Sequence, residues 1–85
     1  MDVLEILSRR LKELRIENNY SQQEIANLLG IAQVTYSNYE LCRQSVSIQN
    51  LVKIARIYNV STDYLLGISD DKLVKIVHLY ANKCV

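Results

Sequence analysis

Gln33, Val34, Ser37 and Asn38 fall on one side of a short helical pattern, and their types are unusual for a solvent face. Ordinary exposed helix surface is charged. This one offers two amides, a hydroxyl and a valine. An amide side chain pairs with adenine N6 and N7 together, and an exposed valine suits a thymine methyl group. Those residues fit a helix that reads base edges in the major groove of duplex DNA. Thr35 lies on the flank, placed to reach base or phosphate. Tyr36, Tyr39 and Glu40 point another way, where packing is the expected role of both tyrosines. Glu40 is expected to pair with an arginine of the first helix such as Arg15.

A reading helix must be held by others, and the flanking sequence supplies them. Ser21 and Glu24 form a capping box, in which each side chain takes up a free backbone N–H of the other's turn. The helix so started carries Ile25, Leu28 and Leu29 on one face and stops at Gly30, which can take the left-handed conformation. Ala26 lies one turn earlier, where two helices meeting closely need a small side chain. An earlier helix spans about Val3 to Glu17, with Leu4, Leu7, Leu11 and Leu14 as its apolar stripe. Its Arg9, Arg10, Lys12, Glu13 and Glu17 read as a solvated charged face. Asn18, Asn19 and Tyr20 form a turn, with Tyr20 as a hydrophobic staple before the capping serine. Beyond a 41–46 loop, Ser47 caps a helix whose core side is Ile48, Leu51, Ile54, Ala55 and Tyr58. Asn59 suits a left-handed close. Nothing in the chain signals a strand, and it contains no proline.

The stretch "RLKELRIENNYSQQEIANLLGIAQVTYSNYE", continued by "SIQNLVKIARIYNVSTDYLLG", resembles the Cro/cI-type (XRE) helix-turn-helix family of bacterial and phage repressors. It covers roughly residues 10 to 67. Four anchors stand in register: Tyr20-Ser21-Gln22, Gly30, Tyr39-Glu40 and the late "NVSTDYLLG". The resemblance implies an all-α, five-helix lambda-repressor-like domain over residues 1–67, whose last short helix, Thr62 to Leu66, is capped by Ser61 and closed by Gly67. It assigns base reading to Gln33, Val34, Ser37 and Asn38. Phosphate contacts go to Gln22 and Gln23 at the start of the second helix, to Thr35, and to Arg43 and Gln44 in the loop beyond. In one respect the chain departs from the family. Cys42 and Val46 stand where members commonly carry Gly and Pro, so either a cysteine adopts positive φ at some cost or the loop takes another route.

Residues 68–85 lie beyond the resemblance and read as an appended C-terminal helix capped by Ser69 or Asp70. Leu73, Val74, Ile76, Val77, Leu79, Tyr80 and Ala81 make it apolar on more than one side, and such a helix needs cover on both faces. A partner subunit meeting Leu73, Ile76, Val77 and Tyr80 is the simplest cover; a groove of the chain's own core is the alternative. His78, alone in the chain, reads as helix surface.

Composition sets bounds. Eighty-five residues, 49% hydrophobic and 22% charged, suit one globular domain with one modest core. No apolar run approaches the roughly 18 residues of a membrane span. Asp2 and Glu5 stand where a signal peptide would be basic, so a cytoplasmic protein is expected. Cys42 and Cys84 read as free thiols, with a redox role for Cys42 as the lesser reading. Ten Lys and Arg against nine Asp and Glu give a net charge of +1, a small penalty for a DNA binder. No nucleophile–base set, Gly-rich phosphate loop or metal cluster is evident, so no enzyme, metal, cofactor or small-molecule ligand is expected. The expected partners are double-stranded DNA and a second copy of the chain, on a two-fold symmetric operator, as a transcriptional regulator and specifically a repressor. The alternative from another class is a protein-interaction module or antitoxin on the same fold.

Overall fold

Asp2 opens the first helix. Its carboxylate accepts the Glu5 amide at 2.9 Å, and that hydrogen bond holds its pKa below the usual carboxylate value. The computed structural model describes residues 2–72, and these residues form five helices: α1 Val3–Glu17, α2 Gln22–Leu29, α3 Gln33–Glu40, α4 Ile48–Tyr58 and α5 Thr62–Leu66. The expected capping box is complete. The Glu24 amide donates to Ser21 Oγ at 3.0 Å, and the Ser21 amide donates to Glu24 Oε1 at 2.9 Å. Ser47 and Ser61 cap α4 and α5 in the same manner, accepting from Asn50 and Tyr64 at 3.1 and 3.0 Å.

Every helix closes on a residue in the left-handed region, in order Asn19, Gly30, Cys42, Asn59 and Gly67. At each, paired backbone bonds run back into the last turn. For α3 these are Cys42 N–H to Tyr39 O at 3.3 Å and Arg43 N–H to Asn38 O at 2.9 Å, the 5→2 and 6→1 bonds of a Schellman closure. Asparagine tolerates this conformation and glycine is free in it. Cys42, at φ +61°, is the strained member. Of the two expected alternatives, the cysteine at positive φ is the one present.

α2 packs on α3, α1 on α3 and α5, and α4 on α5 and α2. Leu11, Ile25, Ala26, Tyr36, Ile54 and Leu65 are fully enclosed between them. Ala26, expected to be a small residue where helices meet closely, is fully buried.

Three core assignments need correction. Leu28 is 54% exposed: the buried side of α2 is centred on Ile25, Ala26 and Leu29, and Leu28 lies off its edge. Ile48 is 79% exposed because the first turn of α4 extends past the core. Arg10 is the largest departure, being only 8% exposed rather than solvated. Its guanidinium donates to the carbonyls of Tyr64 and Ser69, the latter at 2.9 Å, and to Asp70 Oδ1 at 3.0 Å. It also stacks 4.1 Å from the centre of the Tyr64 ring. These contacts give a buried cation the partners it requires. They also tie residues 68–70 along α1. Lys72 continues that path, meeting Glu17 at 3.0 Å, while its carbonyl accepts the Ser61 amide at 2.9 Å. The Leu73, Ile76, Val77 and Tyr80 stripe, His78 and Cys84 lie outside the described residues.

Candidate nucleic-acid interface

The α2–turn–α3 unit presents the outer side of α3. Gln33 and Val34 are exposed, Val34 to 67%, and Thr35, Ser37 and Asn38 are half-buried at the flanks. Tyr36 and Tyr39, on the opposite side, are enclosed and meet edge to face with ring centres 6.2 Å apart. Burial of those two rings sets the rotation of α3 about its own axis. No residue of the outer side is charged, so contacts there would discriminate by hydrogen-bond pattern and shape rather than by attraction to phosphate alone.

A polar cluster fixes both ends of the unit. The Glu40 side chain, 4% exposed, accepts Arg15 Nε at 2.6 Å and Arg15 Nη2 at 3.2 Å, a forked pair. Gln22 Nε2 donates to the same carboxylate at 3.2 Å, and Arg15 Nη1 donates to the Tyr20 carbonyl at 3.1 Å. One carboxylate thus joins α1, the start of α2 and the end of α3. Burial pushes the Glu40 carboxyl upward, but the Arg15 donors first, and Gln22 beside them, outweigh it, and its pKa stays below the usual value. The same hydrogen bond to Glu40 raises the pKa of Arg15 against the opposing effect of burial. Burial first, then the Glu40 charge, raises the Tyr36 and Tyr58 hydroxyls above their ordinary value. The Arg15–Glu40 pairing expected from sequence is present. The link to Gln22 had no sequence signal, because an amide at the start of a helix has many bland roles.

The remaining candidates surround α3. Gln23 is exposed and donates to Asn27 Oδ1 at 2.8 Å. Arg43 and Gln44 are exposed in the loop after α3, and the Arg43 amide bond to Asn38 O brings that residue beside the end of α3. Asn50 Nδ2 donates to the Tyr39 hydroxyl at 3.0 Å, so the first turn of α4 is tied to α3. That tie was missed; the signal for it was an amide one turn into a capped helix. Asp2, Ser21, Ser47 and Ser61 cap the other helices with side chains, but α3 starts on Ala32 without one, so its first amides keep their donors. Among the described residues no group of His, Cys, Asp and Glu is placed to hold a metal ion. None of their helices is long and apolar enough to cross a membrane.

Comparison with known proteins identifies the family and the fold. Residues 11–65 match the helix-turn-helix family model HTH_3. The uncharacterized HTH-type transcriptional regulator YobD of Bacillus subtilis is 37% identical over 68 residues, covering 80% of this chain and 61% of its own. The HTH-type transcriptional regulator ImmR of the same organism is 46% identical over 61 residues, 72% of this chain and 48% of its own. The chain thus spans about half to three-fifths of the length of these relatives. A crystal structure of the hypothetical transcription factor NHTF from Neisseria superposes with a TM-score of 0.71 at 24% identity, covering 94% of this chain and 83% of that one. It shares the fold. The family match takes in α2, the Gly30 turn and α3 within more than half of the sequence, and the chain belongs to the Cro/cI-type (XRE) helix-turn-helix regulators.

Proposed function

We propose that this chain binds double-stranded DNA sequence-specifically and regulates transcription as a repressor, acting as a homodimer on a two-fold symmetric operator in the cytoplasm. The observation that carries the reading is the uncharged outer side of α3, held in fixed rotation by Tyr36, Tyr39 and the Arg15–Glu40–Gln22 cluster. Gln33 and Asn38 donate and accept at base edges, Val34 meets a thymine methyl, and the Ser37 hydroxyl donates to or accepts from a base edge. Gln22, Gln23, Thr35, Arg43 and Gln44 set the register on phosphate. Repression follows from occupancy: a protein seated in the groove excludes polymerase from the same stretch. One monomer with a net charge of +1 gains little from counterion release, so two half-sites about one helical turn apart supply the affinity. No small molecule, cofactor or membrane enters this mechanism.

A second reading has one observation in its favour. Leu41 and Ile48 are exposed on either side of the loop after α3, as on a surface that meets another protein. An interaction module or antitoxin would use that surface and leave duplex DNA alone. Retardation of mixed-sequence duplex by the purified protein at low salt decides between them. The DNA reading expects a salt-sensitive complex, and free duplex at high micromolar protein would support the interaction module.

A further inference from the structure

The donors that meet the Glu40 carboxylate differ in kind. Arg15 supplies Nε at 2.6 Å to Oε2 and Nη2 at 3.2 Å to Oε1, and Gln22 supplies Nε2 at 3.2 Å to Oε1. A guanidinium donates whichever way it turns, whereas an amide has a donor side and an acceptor side. An ionised carboxylate only accepts, so it admits the NH2 group of Gln22 and repels the carbonyl oxygen. The Glu40 side chain is 4% exposed, so solvent does little to screen that preference. Gln22 itself is half-buried and opens α2. The capping box takes up the Ser21 and Glu24 amides. The Gln22 and Gln23 amides, also in the first turn, have no partner within the helix.

We infer that Glu40 is a positioning residue for the phosphate contact of Gln22: it holds one Nε2 hydrogen, so that the other is presented to a phosphate oxygen beside the free amides at the start of α2. The inference rests on the DNA-binding reading. Phosphate oxygens accept hydrogen bonds and never donate them. A Gln22 amide turned over would bring its carbonyl oxygen to the phosphate, and two acceptors repel. Fixing the amide therefore decides between a contact made and a contact opposed. Arg15 acts on the same residue by a second route. Its Nη1 donates to the Tyr20 carbonyl at 3.1 Å, two residues before Gln22, so one ion pair sets both the entry to α2 and the side chain that follows. Orientation also gives a reason for a carboxylate at this place. Beside a polyanion, a negative charge on its own opposes binding.

Glu40→Gln sets orientation against charge. A glutamine there still accepts from Gln22, but it can also donate to the Gln22 carbonyl, so either face of that amide fits. The same change removes a negative charge, and Coulomb attraction alone would then tighten binding to duplex. Wild type, Gln22→Ala, Glu40→Gln and the double variant are titrated with mixed-sequence duplex at low salt, at a temperature where denaturant unfolding shows each to be folded. Glu40→Gln is expected to weaken binding on the order of threefold or more. In the Gln22→Ala background the same change should be neutral or should tighten binding. Equal weakening in both backgrounds would assign Glu40 to the scaffold alone, and tightening in both would leave only its charge; either overturns the inference. A wild type that leaves duplex free overturns the functional reading and this inference with it. An independent measurement needs no change at Glu40. In wild type, one Gln22 Nε2 proton, assigned by its loss in Gln22→Ala, should exchange with water more slowly than those of Gln44, and the other should shift when duplex is added. Two Gln22 protons exchanging as fast as those of Gln44 would overturn the inference as well.

Discussion

Gln33 and Asn38 do different work from Glu40, although they share a helix of eight residues. The first two are proposed to read bases and the third holds the helix in place. Replacing Gln33 or Asn38 with alanine is expected to cost roughly 1–3 kcal/mol on the preferred site and to relax preference at one base pair, without moving the melting temperature. Binding isotherms on specific and random duplexes measure this, and equal losses on both would assign the residues to phosphate. Glu40→Gln acts on the scaffold. Its folded pKa is depressed, so its contribution is present above the ordinary value of 4.5 and is lost as pH falls through the folded value. Tyr36 and Tyr58 act with the opposite sign. Their folded pKa values are raised, so their contribution is complete below the ordinary value of 10 and fades as pH rises beyond it. Denaturant midpoints across pH should therefore show a shallower acid limb in Glu40→Gln, with lower stability at pH 7 because Arg15 loses its partner. An acid limb unchanged from wild type would mean other carboxylates govern it.

At the scale of elements, the two turn glycines make separable demands. Both have positive φ, so a side chain at either meets the left-handed penalty of about 1–2 kcal/mol. A Cβ at Gly30 meets nothing within 4 Å, whereas one at Gly67 comes within 2.9 Å of the Ile6 side chain. Gly67→Ala should consequently destabilise more than Gly30→Ala, by about 1–3 kcal/mol of overpacking. Thermal unfolding of the two variants measures the difference, and equal losses would place the Ile6 contact elsewhere. Helix boundaries were legible in the sequence because caps are local: Ser21 with Glu24, Ser47, Ser61 and the closing Gly and Asn each act within one turn. Leu28, Ile48 and Arg10 were not legible. Spacing gives the side of a helix but neither the centre of the buried arc, which Ala26 shifts away from Leu28, nor the point where neighbouring helices end, which leaves Ile48 outside. Arg10 sits between Leu7 and Leu14 on the same stripe, and its charge concealed the spacing. Its partners, Tyr64, Ser69 and Asp70, are distant in sequence and carry no local signal. The outer side of α3, proposed to read bases, stood out in the sequence for a related reason: its side chains are short and uncharged, and nothing in the core demands those types.

At the scale of the molecule, the proposed dimer links the C-terminal stripe to operator binding. Val77→Lys with Tyr80→Lys is expected to give a folded monomer whose specific binding falls far more than its melting temperature. Truncation after Lys72, which keeps the Ser61 and Glu17 contacts, should behave likewise. Sedimentation across micromolar concentrations measures it, and a wild type that is monomeric throughout, or a truncated chain that dimerises as well, would return the stripe to its own subunit. Net charge bears on the same scale. With +1 overall, binding to random duplex should be weak and vanish between about 50 and 200 mM salt, so preference for the correct site must come from α3 and from two half-sites together. The most direct measurement is selection of binding sites from a random duplex pool at physiological salt, with wild type and the Gln33→Ala, Asn38→Ala double variant side by side. The account predicts that wild type enriches one motif of two related half-sites about one helical turn apart, and that the double variant enriches that motif weakly or with altered bases. A pool left unenriched by wild type, or the same motif from both proteins, would contradict it.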